Sequence, residues 1–171
     1  MSPFLTYSIA EFHKYKTMGE KAIAQIETDA EMQWKPSTES NSLAIIIKHL
    51  HGNMLSRWTD FLTTDGEKPF RQRDNEFIER PGTKEELLAL WEQGWKCVFD
   101  ALDPLTEENL MQNITIRNEP HTVMLAIIRQ ISHYSSHVGQ MIYITKAIRD
   151  TEWHTLSIPR GKSEEFNAGL I

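Results

Sequence analysis

Seven histidines stand in this chain of 171 residues, and two of them, His133 and His137, are four apart. On a helix that spacing puts both imidazoles on one face, about 6 Å from each other, where both can reach one ion. Neutral imidazole is a borderline-soft ligand that suits zinc, nickel, copper or iron(II). The neighbours Ile131, Tyr134, Val138 and Met141 place that face at or near a core. No glutamate follows His133, so this is not the HExxH pattern that brings its own general base. Two polar residues at the edge of a helix bundle would show the same spacing, and the pair alone does not make a site.

A third ligand has to come from another helix. His49 stands one turn past Ile45, beside an apolar stripe, whereas His51 is rotated about 200° away from it. His49 is the better candidate; its alternative is a buried histidine bonded to a backbone carbonyl. Arg57 and Asp60 follow two and three turns later, roughly on the His49 side. The first could orient an anionic substrate. The second could hold a ligand imidazole, because ligand histidines usually donate their other N–H to a partner. An exposed ion pair worth under about 1 kcal/mol would explain both as well. Gln130 and Gln140, a turn either side of the pair, are open to the same two readings. The charged residues Arg71, Arg73, Asp74 and Glu76 read as a solvated loop, with closure over the site as the alternative. Cys97 reads as a small buried hydrophobe rather than a low-pKa nucleophile. The five tryptophans, notably Trp91 and Trp95, fit a core or an interface; exposure of part of this set would favour a homodimer, which is the expected assembly.

These side chains need a scaffold, and the helical period appears four times. The first segment runs from about Phe4 to Glu31, before Pro36. The second follows a polar cluster, Ser37 to Ser42, which supplies N-cap candidates. It carries Leu43, Ile46, Ile47, Leu50, Met54, Trp58 and Phe61 as one apolar stripe. The third begins at Thr83, where Thr83-Lys84-Glu85-Glu86 spells a capping box, and ends near Asp103-Pro104. The fourth takes Pro120 as its first residue and runs to Ile148. Residues 63–82 form a long loop with turn signals at Asp65-Gly66, Pro69 and Pro81-Gly82; loops of such length are often functional. A short helical turn is expected at Thr106 to Leu110, and Ile114-Thr115-Ile116 has the only strand character. The tail from Thr151 to Ile171 reads as extended. The expected class is all-α: one domain over 1–171, an up-down-up-down four-helix bundle with a long loop after the second helix and an extended C-terminal tail.

The bulk properties exclude several partners. A net charge of −6 argues against nucleic acid, which calls for a basic face. One cysteine allows no internal disulfide and fits a reducing compartment. The N-terminus lacks a basic stretch followed by an apolar one, so no signal peptide is expected. The longest apolar run, Leu43 to Ile47, is far short of the roughly 20 residues a membrane span needs. A soluble, cytoplasmic protein that binds no membrane is expected.

Two stretches resemble the DinB/YfiT-like superfamily of metal-binding four-helix bundles. They are Asn41-Ser42-Leu43-Ala44-Ile45-Ile46-Ile47-Lys48-His49-Leu50, and Gln130-Ile131-Ser132-His133-Tyr134-Ser135-Ser136-His137-Val138-Gly139-Gln140. The likeness spans essentially the whole chain. It extends to a subgroup of unassigned function through Ser56-Arg57-Trp58-Thr59-Asp60-Phe61 and Leu156-Ser157-Ile158-Pro159-Arg160-Gly161-Lys162-Ser163. The resemblance implies that His49, His133 and His137 hold one divalent transition metal, whether Zn, Ni or Fe. Three protein ligands leave a position open, as catalytic sites do. Some relatives look like thiol-dependent transferases and others like hydrolases. The implied function is therefore a metal-dependent enzyme, thiol transferase-like or hydrolase-like, acting on a small molecule, with a low-molecular-weight thiol as one candidate. The alternative is a non-catalytic metal- or small-molecule-binding stress or sensor bundle.

Overall fold

The computed structural model describes residues 2–80 and 82–170. Among them the chain is mostly helical, with seven α-helices and one two-stranded sheet. The helices are α1 (Pro3–Ile23), α2 (Asp29–Gln33), α3 (Leu43–Trp58), α4 (Arg73–Glu76), α5 (Lys84–Leu102), α6 (Val123–Arg149) and α7 (Ser163–Asn167). The strands are β1 (Asn113–Ile116) and β2 (Glu119–Thr122), paired antiparallel. α3 packs chiefly on α5, and α1 chiefly on α6. No helix is long and apolar enough to cross a membrane, among the described residues.

Side-chain caps set where the long helices begin. Ser42 Oγ accepts from Ile45 N at 3.3 Å to open α3. Thr83 and Glu86 exchange hydrogen bonds with each other's backbone to open α5, as the capping box predicts. The apolar stripes then meet in one core. Phe12, Trp58, Trp95 and Tyr134 stack at its centre with ring centroids 5.6–6.3 Å apart, in edge-on or tilted contact, an arrangement aromatic quadrupoles favour. Trp91 and Trp95 are fully buried there and belong to the core, whereas Trp34 is exposed. Gly94 lets α3 and α5 approach closely, because a Cβ there would lie 2.8 Å from Met54 Sδ and 3.3 Å from the His51 Cα.

Several boundaries differ from the sequence expectation. The first segment is not one helix: α1 stops at Ile23 and α2 restarts at Asp29. Thr28 and Glu31 form a second capping box, the same T-x-x-E signal that announces α5. The second helix ends at Trp58 rather than Phe61, and Asp60 then adopts a left-handed φ of 46°. Pro120 lies in β2, opposite Thr115. α6 begins instead after Thr122, whose Oγ1 accepts from Leu125 N. Proline suits a short edge strand as well as a helix start. The loop 63–82 contains α4, and the tail is not extended throughout, since it holds a 3₁₀ turn at Asp150–Glu152 and α7. Of the expected Pro81-Gly82 breaker, Pro81 lies outside the described residues.

The hairpin turn has an unusual support. Arg117 and Asn118 both have positive φ, 57° and 61°, a geometry normally left to Asn-Gly. The Asp65 carboxylate, reaching in from the long loop, accepts the backbone N–H of both, at 2.9 and 2.8 Å, and that of Glu67 at 2.6 Å. Burial alone would raise its pKa; these backbone N–H groups overcome that and hold it down to about 2. Gly66 N donates to Thr115 O at 2.8 Å, completing the tie between loop and hairpin.

Candidate metal centre

α3 and α6 supply the three histidines. His49 is buried in the middle of α3, and His133 and His137 are half-buried, one turn apart on α6. Their ligand atoms all lie within 4.8 Å of one another. His133 Nε2 is 3.2 Å from His49 Nε2 and 3.1 Å from His137 Nε2. An ion bound at zinc's usual 2.0–2.1 Å holds tetrahedral nitrogens about 3.3 Å apart, so the spacing is compatible with a metal ion.

The outward nitrogens define the inward ones. His49 Nδ1 lies 2.9 Å from Glu76 Oε2. A carboxylate only accepts, so this nitrogen carries a proton, and in the neutral ring His49 Nε2 presents the lone pair. His137 Nδ1 lies 3.3 Å from Gln140 Oε1, an acceptor that favours the same tautomer. His133 Nε2 therefore faces two bare nitrogens, and a single proton on it can serve only one of them. A cation satisfies all three at once. Burial, and then the neighbouring imidazoles, push His133 down to about 3 and His137 down to about 4. Both are neutral near pH 7, as ligation requires.

Glu76 is the residue the sequence left among solvated loop charges. It is buried on α4, and Arg71 grips it with two parallel bonds, Nε to Oε1 at 2.8 Å and Nη2 to Oε2 at 3.0 Å. Burial would raise its pKa, but the hydrogen bonds from His49 and Arg71 keep it below the usual glutamate value. Gly52, on the same face of α3 as His49, makes room for it: a Cβ there would come within 2.9 Å of Glu76 Cδ. The loop after α3 thus folds back across the helix and orients its imidazole.

A cleft of about 390 Å³ opens over the cluster. Arg57 and Gln130 both line it, as do Arg71 and Arg73. Arg57 is buried and spends its guanidinium on Gly66 O and Glu67. Gln130 is 3% exposed, and its Oε1 is a buried acceptor without a hydrogen-bond partner among the described residues. Asp60 is elsewhere. It is exposed and lines a different cavity, beside Cys97, because α3 ends before the helical projection reaches it. Asp74 is also exposed. Cys97 is half-buried and burial pushes its thiol up, the opposite of an activated nucleophile.

Sequence reasoning passed over four lining residues, Asn53, Phe77, Arg117 and Arg129. Asn53 and Arg129 were within reach of it, since each lies four residues from a histidine on the same helix face. Arg117 had no such signal, because it arrives on the hairpin turn.

The model of the family described as "Protein of unknown function (DUF1572)" matches residues 1–162. No curated protein and no solved structure matches the chain.

Proposed function

Because this chain belongs to the DUF1572 family, whose function is unknown, we propose its function from the site itself: a metal-dependent enzyme acting on a small molecule. In this reading His49, His133 and His137 hold one divalent transition metal, and the four long helices form an up-down-up-down bundle of the DinB/YfiT-like kind. The observation that carries it is the convergence of three Nε2 atoms from two helices, His133 Nε2 lying 3.2 Å from that of His49 and 3.1 Å from that of His137.

A divalent ion with three neutral imidazoles supplies Lewis acidity at its open position, which can bring a water's pKa to about 7 or hold a thiol as thiolate. The remaining roles fall to the chain. Glu76 and Arg71 fix the His49 ring, as partners of ligand imidazoles commonly do. Gln130 lines the cleft with a buried Oε1 that no group of the described residues satisfies. The donor set serves transfer of a thiol to an electrophile and hydrolysis equally.

One feature favours the non-catalytic reading, a metal-binding sensor. No carboxylate lines the cleft among the described residues, and Glu67 and Glu76, which lie behind its arginines, are both tied to them, so neither is a free general base. Incubating metal-loaded protein with a panel of thiols and electrophiles separates the two. Turnover above the triple-alanine variant of the histidines supports the enzyme; none supports the sensor.

The metal itself is tested first. Elemental mass spectrometry of tag-free protein is expected to give about one transition-metal ion per chain, lost in His133→Ala/His137→Ala with helix content retained. Metal retained in each single histidine-to-alanine variant would disprove the triad.

A further inference from the structure

The cleft over the histidines is positively charged in a protein that is negative overall. Five arginines line it, from four different parts of the chain, while the net charge is −6. They are not equally occupied. Arg57 and Arg71 are bound to Glu67, Glu76 and a backbone carbonyl. Arg117 shares Glu67 through its Nε. Two are left. Arg129, one turn before His133 on α6, meets only the imidazole of His121, at 3.1 Å, and no carboxylate among the described residues. Arg73 lies over the Phe77 ring, 5.0 Å from its centroid. Its one carboxylate, Asp74, is 4.0 Å away and fully exposed. Phe77 in turn packs on His49, with centroids 5.0 Å apart, so Arg73 is held at the edge of the histidine cluster.

Both residues are exposed at the mouth of the cleft, where uncommitted guanidinium groups concentrate anions and match the planar oxygens of carboxylate or phosphate. Gln130 also lines the cleft, and its buried Oε1 has no hydrogen-bond partner among the described residues, an acceptor that ordinarily finds a donor. We propose that this cleft is an oxyanion-binding site, with Arg73 and Arg129 taking a carboxylate or phosphate group beside the three imidazoles. Resting on the metal reading above, the substrate of the metal centre is then a small anionic molecule.

Isothermal titration calorimetry of the full chain at pH 8 and low salt tests this, with inorganic phosphate in one arm and acetate in the other. Each is run on metal-free and zinc-loaded protein, beside Arg73→Gln/Arg129→Gln. The expected result is one millimolar-range phosphate site in metal-free protein, weakened about tenfold in the variant and by added salt, with zinc content equal in both. Preference for phosphate would assign a phosphorylated ligand, and comparable acetate binding a carboxylate; both support the proposal. Equal phosphate binding by wild type and variant, or none at millimolar concentration, overturns it. Arginine-dependent phosphate binding in a protein that holds no zinc would sink the metal reading and leave the oxyanion site standing. One zinc per chain with arginine-independent anion binding would do the reverse.

Discussion

His49 is useful only because of what stands behind it. Its Nδ1–H is fixed on a carboxylate that Arg71 grips from the other side, so the ring cannot turn its lone pair away from α6. Losing such a partner typically weakens metal affinity by about 10–100-fold. Glu76→Gln is therefore expected to retain helix content while metal competition against a chromophoric chelator shows at least tenfold weaker binding. Gly52→Ala should act in the same direction, since its methyl would displace the Glu76 side chain. Unchanged affinity in both would mean that Glu76 pairs with His49 without orienting it. The histidine pair and the better placement of His49 over His51 were legible from spacing. Glu76 was not: it is 27 residues from His49, and no periodicity links a loop carboxylate to a helix it folds across.

Between the elements, the decisive contact is the one that ties the long loop to the hairpin. Asp65 satisfies two left-handed, non-glycine residues, and the turn it supports carries Arg117 to the cleft. Asp65→Asn would turn an amide donor toward a backbone N–H, at a cost of about 1 kcal/mol for this partly exposed site. The pH dependence has a definite sign. The folded carboxyl sits at about 2, below its usual 3.8, so its contribution is present above the usual value and is lost as pH falls through about 2. The stability gap between wild type and Asp65→Asn, read from urea unfolding, should be constant from pH 7 to about 4 and close toward pH 2. A gap that widened in acid would contradict this account. At this scale the sequence announced α3 and α5 through their caps and stripes. It missed the break between α1 and α2 although Thr28 and Glu31 carry the signal, and it misplaced Pro120 because proline fits both a helix start and an edge strand.

Across the molecule, the three imidazoles join α3, whose main contacts are with α5, to α6, whose main contacts are with α1. An ion bound there cross-links the two halves of the core and binds only the folded state. At a free concentration a hundredfold above its Kd, that linkage adds about 2.7 kcal/mol, which for this chain length corresponds to a Tm rise of roughly 5–10 °C. Differential scanning calorimetry should show the rise with zinc, nickel or iron(II) in wild type and none in His133→Ala/His137→Ala. Equal shifts in both would place the ion elsewhere.

The sequence by itself determined the helical class, the long segments and the histidines that share a face, because these depend on short-range periodicity and on caps read within one turn. Only the tertiary structure decided which charges serve the site. Asp60 fell away because α3 ends two residues before it, and Glu76 took the imidazole because the loop turns back over Gly52. The arginines gathered from α3, α4 and the loop before it, the hairpin and α6 make one positive cleft. Such groupings depend on loop paths and close approaches between distant segments, and those are set by packing rather than by any local pattern.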